Sequence, residues 1–595
     1  MMEKLHTQVC VPQRCGLCGF ELHMGDKIVA FTDGGRQTGE MVNSLCMDDG
    51  NHRQMRMGYC EMFKRCVRDC SHEDGFAIGC HAACVKHVPS TSRTWLLEVL
   101  AYQYEPSPSE IARRVQWMNL RLASTTPILR HAKPHLPQEL RLQVAAHLLR
   151  GTALHRYAVA YANTLQRNKG SGDPFIRLSA EIWARYIDFE GVRYIASLAN
   201  SSDDHHTEYI FRPDPTQNIA SIYIAENFLG ITQILFFTAL PVPVVEKRQD
   251  LWWRVIPLRG DETMLATQND GVKLRSITPE IKVIGPRPNH PLWSSPPLKS
   301  LRSVQLEPSP PAAQLLTLTC NAPEVTAYSV LWDNRIIHLH AHIPGEDFAF
   351  YKGFEGRAHA VWLYFPLMNG ERISEIWTRC PDGQGSSLFF KTTYNRLAPF
   401  GPQPIRPPEA PTLIDFPTQD RGSRIFFESA PVGVRNLRFE TPDPAPTSDS
   451  IRPPEPFFGH SRMWLFPDKF YSVAKLDGVS KIVPCQRHVY GERCIVGLLL
   501  EFPDGRQSCV GEIRLDRLQN PVQTSGHQLV WLGISENDYE PFVSAVTITG
   551  PDCDDGVSWF EMPLIGTLEW WYATRGCELR HTGKAGSPIS FRPRG

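Results

Sequence analysis

At 595 residues the chain is too long for a single hydrophobic core, and three or four domains are expected. A make-up of 42% apolar and 21% charged residues, with 14 Trp and 29 Phe, excludes extensive disorder. The formal net charge of −1 excludes a global basic field that would draw in nucleic acid or an anionic membrane surface.

The first ten residues, MMEKLHTQVC, carry no apolar h-region, so no secretory signal is expected. The most apolar run, FLGITQILFFTALPVPVV, is broken by Thr, Gln and two prolines and falls short of the ~20 uninterrupted residues that span a bilayer. The expectation is a cytoplasmic or nuclear protein with no membrane or nucleic-acid partner. In that reducing setting, clustered cysteines are more often metal sites than disulfides.

Nine of the sixteen cysteines lie within the first 84 residues. Zinc takes four soft or borderline donors at tetrahedral corners, and two cysteines separated by two residues supply two of them from one tight turn. Cys15-x-x-Cys18-Gly19 has that form, with Gly19 permitting the turn. In Cys80-His81-Ala82-Ala83-Cys84, residues 81 and 84 are three apart and share a face of a short helix. The predicted ligands of a structural zinc are therefore Cys15, Cys18, His81 and Cys84. The run LHMGDKIVAFTDGG between the pairs reads as the strand and turn of a hairpin. Knuckle, hairpin and helix in this order resemble treble-clef zinc fingers such as PHD and LIM modules. Cys66-x-x-x-Cys70, with Cys46 or His52, offers a second site; one site plus structural thiols is the other reading.

Residues 91–187 are expected to be helical. TWLLEVLAYQY, SPSEIARRVQWMNLRLA and LPQELRLQVAAHLLRGTALHRYAVAYANTL repeat apolar residues at three- and four-residue spacing. SPSE is a helix start, with Ser at the cap and Glu inside the first turn. In HLPQELRLQVAAHLL, residues 135–149, Pro137 suits a first turn, and Leu136, Leu140, Val144 and Leu148 form one stripe. This stretch resembles the opening of an F-box. The resemblance implies docking through Leu136, Pro137, Leu140 and Val144 on the Skp-type adaptor of a cullin ubiquitin ligase. The continuation ALHRYAVAYANTLQ lacks the Trp and basic pattern of an F-box end, and an amphipathic helix packed on its own neighbours is the competing reading.

From 188 onward the texture changes to short alternating runs such as GVRYIASL, ASIYIA, AYSVLW and AVWLYFP, punctuated by Gly, Pro, Asn and Asp. Two mainly antiparallel β-rich domains are expected, 188–405 and 457–595, joined by a Pro-rich linker at 406–456. FEGVRYIASL against LDGVSKIVPC, and LGITQILFF against IVGLLLEFPDG, raise the question of a duplicated β unit. The seven later cysteines read as buried small apolar residues. Trp252-Trp253 and Trp570-Trp571 read as core or as a ligand surface.

On a strand, His338, His340 and His342 point to one face, ordinarily a solvated one. His340-x-His342-x-x-x-Glu346, with Gly353 downstream, resembles the first metal motif of cupins, which would imply a metalloenzyme. Asn334 replaces that motif's leading Gly, and no His follows Cys380-Pro381-Asp382-Gly383 where the second motif requires one. GERISEIWTR, SLFFKTTYNRLAPFG, GVSKI and GLLLEFPDG resemble strands of jacalin-type β-prism lectins, which would imply glycan binding. No Gly-x-Ser-x-Gly, His-Glu-x-x-His, P-loop or Gly-x-Gly-x-x-Gly is present, so no enzyme activity is expected.

The whole reads as a multi-domain α+β protein: a zinc-binding module at 1–90, a helical section at 91–187 and two β-rich domains. GERISEIWTR, GLLLEFPDGRQSCVGEIRLD and GTLEWWYA, taken in this order of parts, resemble a group of large filamentous-fungal proteins, which implies an architecture and no activity. The expected function is recognition: an F-box-like receptor that tethers a client protein or glycan to a ubiquitin ligase, or a lectin-like binder with no such link.

Overall fold

The computed structural model describes residues 8–32, 37–42, 55–57, 61–65, 77–86 and 108–125, isolated positions from 106 to 149, and most of 173–590. The chain divides into two compact units, Met1–Pro296 and Pro297–Gly595. Strands dominate both, and the pairings described are antiparallel apart from Gln8–Val11, which among the described residues runs parallel to Glu61–Arg65. No helix among the described residues is long and apolar enough to cross a membrane.

The first unit holds the Cys/His module, a helix and a β region. Strand Lys27–Thr32 lies between Met41–Val42 and Ala77–His81. Helix Pro108–Thr125 begins with Pro in the first turn, where no helical hydrogen bond is lost, and carries Glu110 there beside the positive end of the helix dipole. The expected cap, Ser107, lies outside the described residues, as does the segment TWLLEVLAYQY. The buried face of this helix is Glu110, Arg114, Met118 and Leu122, one residue every turn. Met118 packs into the core of the Cys/His module.

Arg114 and Glu190 form a fully buried ion pair: Arg114 Nε donates to Glu190 Oε2, and Nη2 donates to Oε1 at 2.9 Å. Arg113 Nη1 adds a bond to the Glu190 carbonyl at 3.1 Å. Glu190 and Gly191 have φ of 51° and 78°, the tight turn that matches the twist of the hairpin Ile182–Phe189 and Val192–Ala199. A Cβ at position 191 would sit 2.4 Å from the Trp117 ring, so only glycine fits. The helix thus grips the hairpin at its turn. Beyond the hairpin, Ile182, Ile195, Ile222, Ile224, Ile231 and Ile277 fill a core rich in β-branched residues, which suit a pleated surface.

In the second unit, Ala327–Trp332 lies between Ile336–His342 and Val361–Pro366. Ile373–Arg379 and Ser387–Thr392 are the inner strands of a four-stranded sheet edged by Leu397–Phe400 and Thr412–Asp415. Lys481–Val489 pairs with Glu492–Glu501, and Thr567–Tyr572 lies between Phe470–Lys475 and Cys577–Thr582. Trp332, Phe390, Leu498, Leu532 and Trp570 belong to one continuous core.

Several expectations are corrected. β-structure begins at Phe175, inside the 91–187 section read as helical, because Ile182 and Ala184 alternate inward with period two. The 406–456 stretch read as linker contains strands Thr412–Asp415, Ser423–Glu428 and Asn436–Phe439, and its prolines mark their ends. The echoing segments pair differently: Val192–Ala199 pairs with Ile182–Phe189, and Gly230–Phe237 pairs with Ser221–Asn227. Their counterparts Lys481–Val489 and Glu492–Glu501 pair with each other. Both Trp pairs are core. Cys320, Cys485 and Cys494 are buried as expected, whereas Cys380 is exposed at the end of its strand.

Candidate metal centre

Two local features bring the four predicted ligands together. The first is the turn at Cys15–Gly19. The Cys15 amide donates to the Phe20 carbonyl at 2.9 Å, and the Gly19 amide donates to the Cys15 carbonyl at 2.8 Å. Gly19 takes a φ of 71° to close the turn. Gly16 is needed for a different reason: its amide bonds the Gly79 carbonyl at 3.0 Å, and a Cβ there would meet Ile78 Cγ2 at 2.4 Å. The second feature is the strand-to-helix junction. Ala77–His81 pairs with Lys27–Thr32, with Ile28 opposite His81, and helix Ala82–Lys86 begins at the next residue. His81 therefore closes the strand rather than lying in the helix's first turn as expected, and Cys84 follows from the helix.

The ligand atoms of Cys15, Cys18, His81 and Cys84 all lie within 4.8 Å of one another, and all four residues are buried. His81 Nδ1 faces the thiols, 3.4 Å from Cys18 Sγ and 3.5 Å from Cys84 Sγ. The His81 backbone amide donates to Cys15 Sγ at 3.4 Å, a bond that favours a thiolate. On the far side of the ring, His81 Nε2 lies 3.4 Å from Asp26 Oδ2, and that carboxylate also accepts the His23 amide at 2.7 Å. A carboxylate behind a histidine fixes its tautomer and raises its basicity as a ligand.

The electrostatics are those of a cation site. Burial works to raise the Cys15 thiol, but hydrogen bonds from Cys18, Cys80, Cys84 and His81 outweigh it and hold it well below the ordinary cysteine value. The hydrogen bond to that thiolate in turn pushes Cys18, Cys80 and Cys84 up, with burial and charge repulsion adding to it. Without an ion, several thiols share one negative charge. A dication at the centre removes the conflict by letting each thiol ionise while the imidazole binds in its neutral form. These residues can hold a metal ion, and Cys80 is a fourth thiol, against Cys15, that sits outside the four-donor set.

Other predicted positions fall as follows. Cys46, Cys66, Cys70 and His52 lie outside the described residues, as does Leu136. Pro137, Leu140 and Val144 are exposed, and Leu140, Val144, Leu148 and Leu149 are helical. Leu149 packs on the Cys/His core, while Leu140, Val144 and Leu148 are 44%, 42% and 43% exposed. His338, His340 and His342 do not form a solvated face: His342 is buried and the other two are half-buried, because the Phe348–Phe354 segment folds over them. His340 and His342 both contact Glu346. Burial works to raise the Glu346 carboxyl, yet the hydrogen bonds from the two histidines hold it down at about 2.

No family model matches the chain, and no curated protein matches it. Among solved structures it is similar to the crystal structure of lamprey immune protein, at 10% identity and a TM-score of 0.16, over 49% of this chain and 93% of that one. A TM-score that low defines no common fold.

Proposed function

We propose that the protein is a non-enzymatic recognition protein whose N-terminal module is a treble-clef-like zinc finger and whose 135–149 helix docks the Skp-type adaptor of a ubiquitin ligase. Three thiols and one imidazole in a buried cluster are the donor set of a closed structural zinc site, and this supports zinc over harder ions. A closed site of this kind folds a module and performs no reaction. The docking reading rests on one observation. Leu140, Val144 and Leu148 recur every four residues on a helix, and each is more than two-fifths exposed. A helix that served only internal packing would bury that stripe. The β-rich regions would then carry the client, a protein or a glycan.

The test is a binding titration of the Skp-type adaptor against the full zinc-loaded chain, wild type and Leu140→Arg. Micromolar or tighter binding that is lost in the variant supports the reading. No binding by wild-type protein of normal zinc content and native circular dichroism overturns it.

A further inference from the structure

The second unit contains a cluster of donors without thiols, built from two imidazoles and a carboxylate. Strand Ile336–His342 places His340 and His342 on one side. The chain then turns back through Gly345, whose φ of 74° any side chain would strain, and the Glu346 amide donates to the Ile343 carbonyl at 3.4 Å. The next residue, Asp347, caps the 3-10 segment Phe348–Phe354 by accepting the Ala349 amide at 2.9 Å. This turn delivers the Glu346 carboxylate onto both imidazoles. His340 Nε2 lies 2.8 Å from Glu346 Oε2, and His342 Nδ1 contacts Oε1. One donor atom from each of the three residues lies within 4.8 Å of the others.

The rings are held from behind. His342 Nε2 hydrogen-bonds the hydroxyl of Ser329, which is fully buried, at 2.7 Å. Phe350 stacks on His340 with centroids 3.8 Å apart. The cluster is nevertheless reachable, since the His340 and Glu346 side chains are 22% and 11% exposed. Among the described residues no Lys or Arg pairs with Glu346, so its charge faces only imidazoles.

We propose that His340, His342 and Glu346 form a second, open site for a divalent first-row transition ion such as Zn²⁺, Fe²⁺ or Co²⁺. Two imidazoles and one carboxylate are the donors such ions take, whereas Ca²⁺ and Mg²⁺ prefer all-oxygen sets. Three protein donors leave at least one coordination position for water or a ligand, in contrast to the closed thiol centre. Ser329 serves both states of the site. Without the ion its hydroxyl donates to Nε2 while His342 Nδ1–H donates to Glu346. With the ion bound at Nδ1 the ring carries its proton on Nε2, and the same hydroxyl accepts it. The site needs neither a preceding Gly at 334 nor a later histidine, and it stands whether or not the helix at 135–149 docks an adaptor.

The experiment uses the full chain titrated with Co²⁺ alone, read by absorption spectroscopy. Thiolate-bound Co²⁺ shows a near-ultraviolet sulfur-to-metal charge-transfer band, and Co²⁺ held by nitrogen and oxygen does not. The expected result is one equivalent without that band, absent in His340→Ala and in Glu346→Gln and about 10- to 100-fold weaker in Ser329→Ala. The thiolate-bearing signal stays unchanged in all three, and Cys18→Ser removes the signal of the Cys15 centre while leaving the band-free equivalent in place. Glu346→Gln keeps shape and fold where His340→Ala proves unstable. The proposal is overturned if wild-type protein takes up only thiolate-bound Co²⁺, or if a folded Glu346→Gln binds the band-free equivalent as tightly as wild type, as adventitious surface histidines would.

Discussion

The two donor clusters differ in what they do without an ion. In the thiol centre Cys18 and Cys15 lie 63 and 66 residues from His81 in sequence, and the neighbouring thiols hydrogen-bond to Cys15, which favours its thiolate and pushes those neighbours up. At the His340, His342 and Glu346 cluster, the two imidazoles donate to the carboxylate and Ser329 completes the chain. On the proposed reading as a structural zinc finger, the first cluster would depend on a bound ion for its fold. The second is folded by hydrogen bonds and by a strand that is already part of a sheet. Donors converge in both cases, but only in the first do several thiols compete for one negative charge, the competition that a bound cation would relieve.

The strongest way to break this contrast is to remove the ion. Chelation is expected to cost the module about 10–16 kcal/mol of metal-linked folding energy, enough to unfold it, and Cys18→Ser acts in the same direction by a smaller amount, with limited proteolysis and zinc content as the readouts. If the 8–86 segment stays protease-resistant without zinc, the contrast fails. Next in size is the buried ion pair that ties helix Pro108–Thr125 to the hairpin. Glu190→Gln strands the Arg114 charge in a buried place and should lower stability in denaturant titration by about 3–5 kcal/mol, whereas a paired apolar replacement of both residues should cost far less. A smaller effect is expected from Asp26→Asn, which takes the carboxylate from behind His81 and should weaken zinc binding about 10- to 100-fold in competition with a chromogenic chelator. The smallest effect sharpens the contrast most: chelation should leave hydrogen-exchange protection of strand Ile336–His342 unchanged.

The thiol centre was legible because its chemistry fixes residue type and spacing together, so Cys15, Cys18, His81 and Cys84 stood out before any fold was known. Asp26 did not, since a lone carboxylate in HMGD carries no spacing signal and its partner is 55 residues away. Arg114 and Glu190 were missed for a related reason. Pattern reading assigns charged residues to the solvent side of a helix, yet Glu110 and Arg114 continue the buried stripe of Met118 and Leu122. The burial of His342 escaped the same rule, because alternating polar residues on a strand read as wet. The available clue was the aromatic run FAFY two residues after Glu346, which supplies the cover. Strand character in both β-rich stretches was plain from alternation, while the 91–187 and 406–456 boundaries failed where prolines and short strands share a segment.

The grip of the helix on the Glu190–Gly191 turn also has a consequence for assembly during synthesis. A chain emerging from the ribosome presents all four thiol-centre ligands, then the helix that brings Met118 to that core, and only afterwards the hairpin turn that Arg114 and Trp117 hold. Domains generally mature in that direction during synthesis. The nascent module can load its ion and seat its helix before any long-range β pairing exists, and the seated helix then offers a prepared anchor for the first hairpin of the β region. A ribosome-bound chain halted just short of residue 182 should already retain zinc.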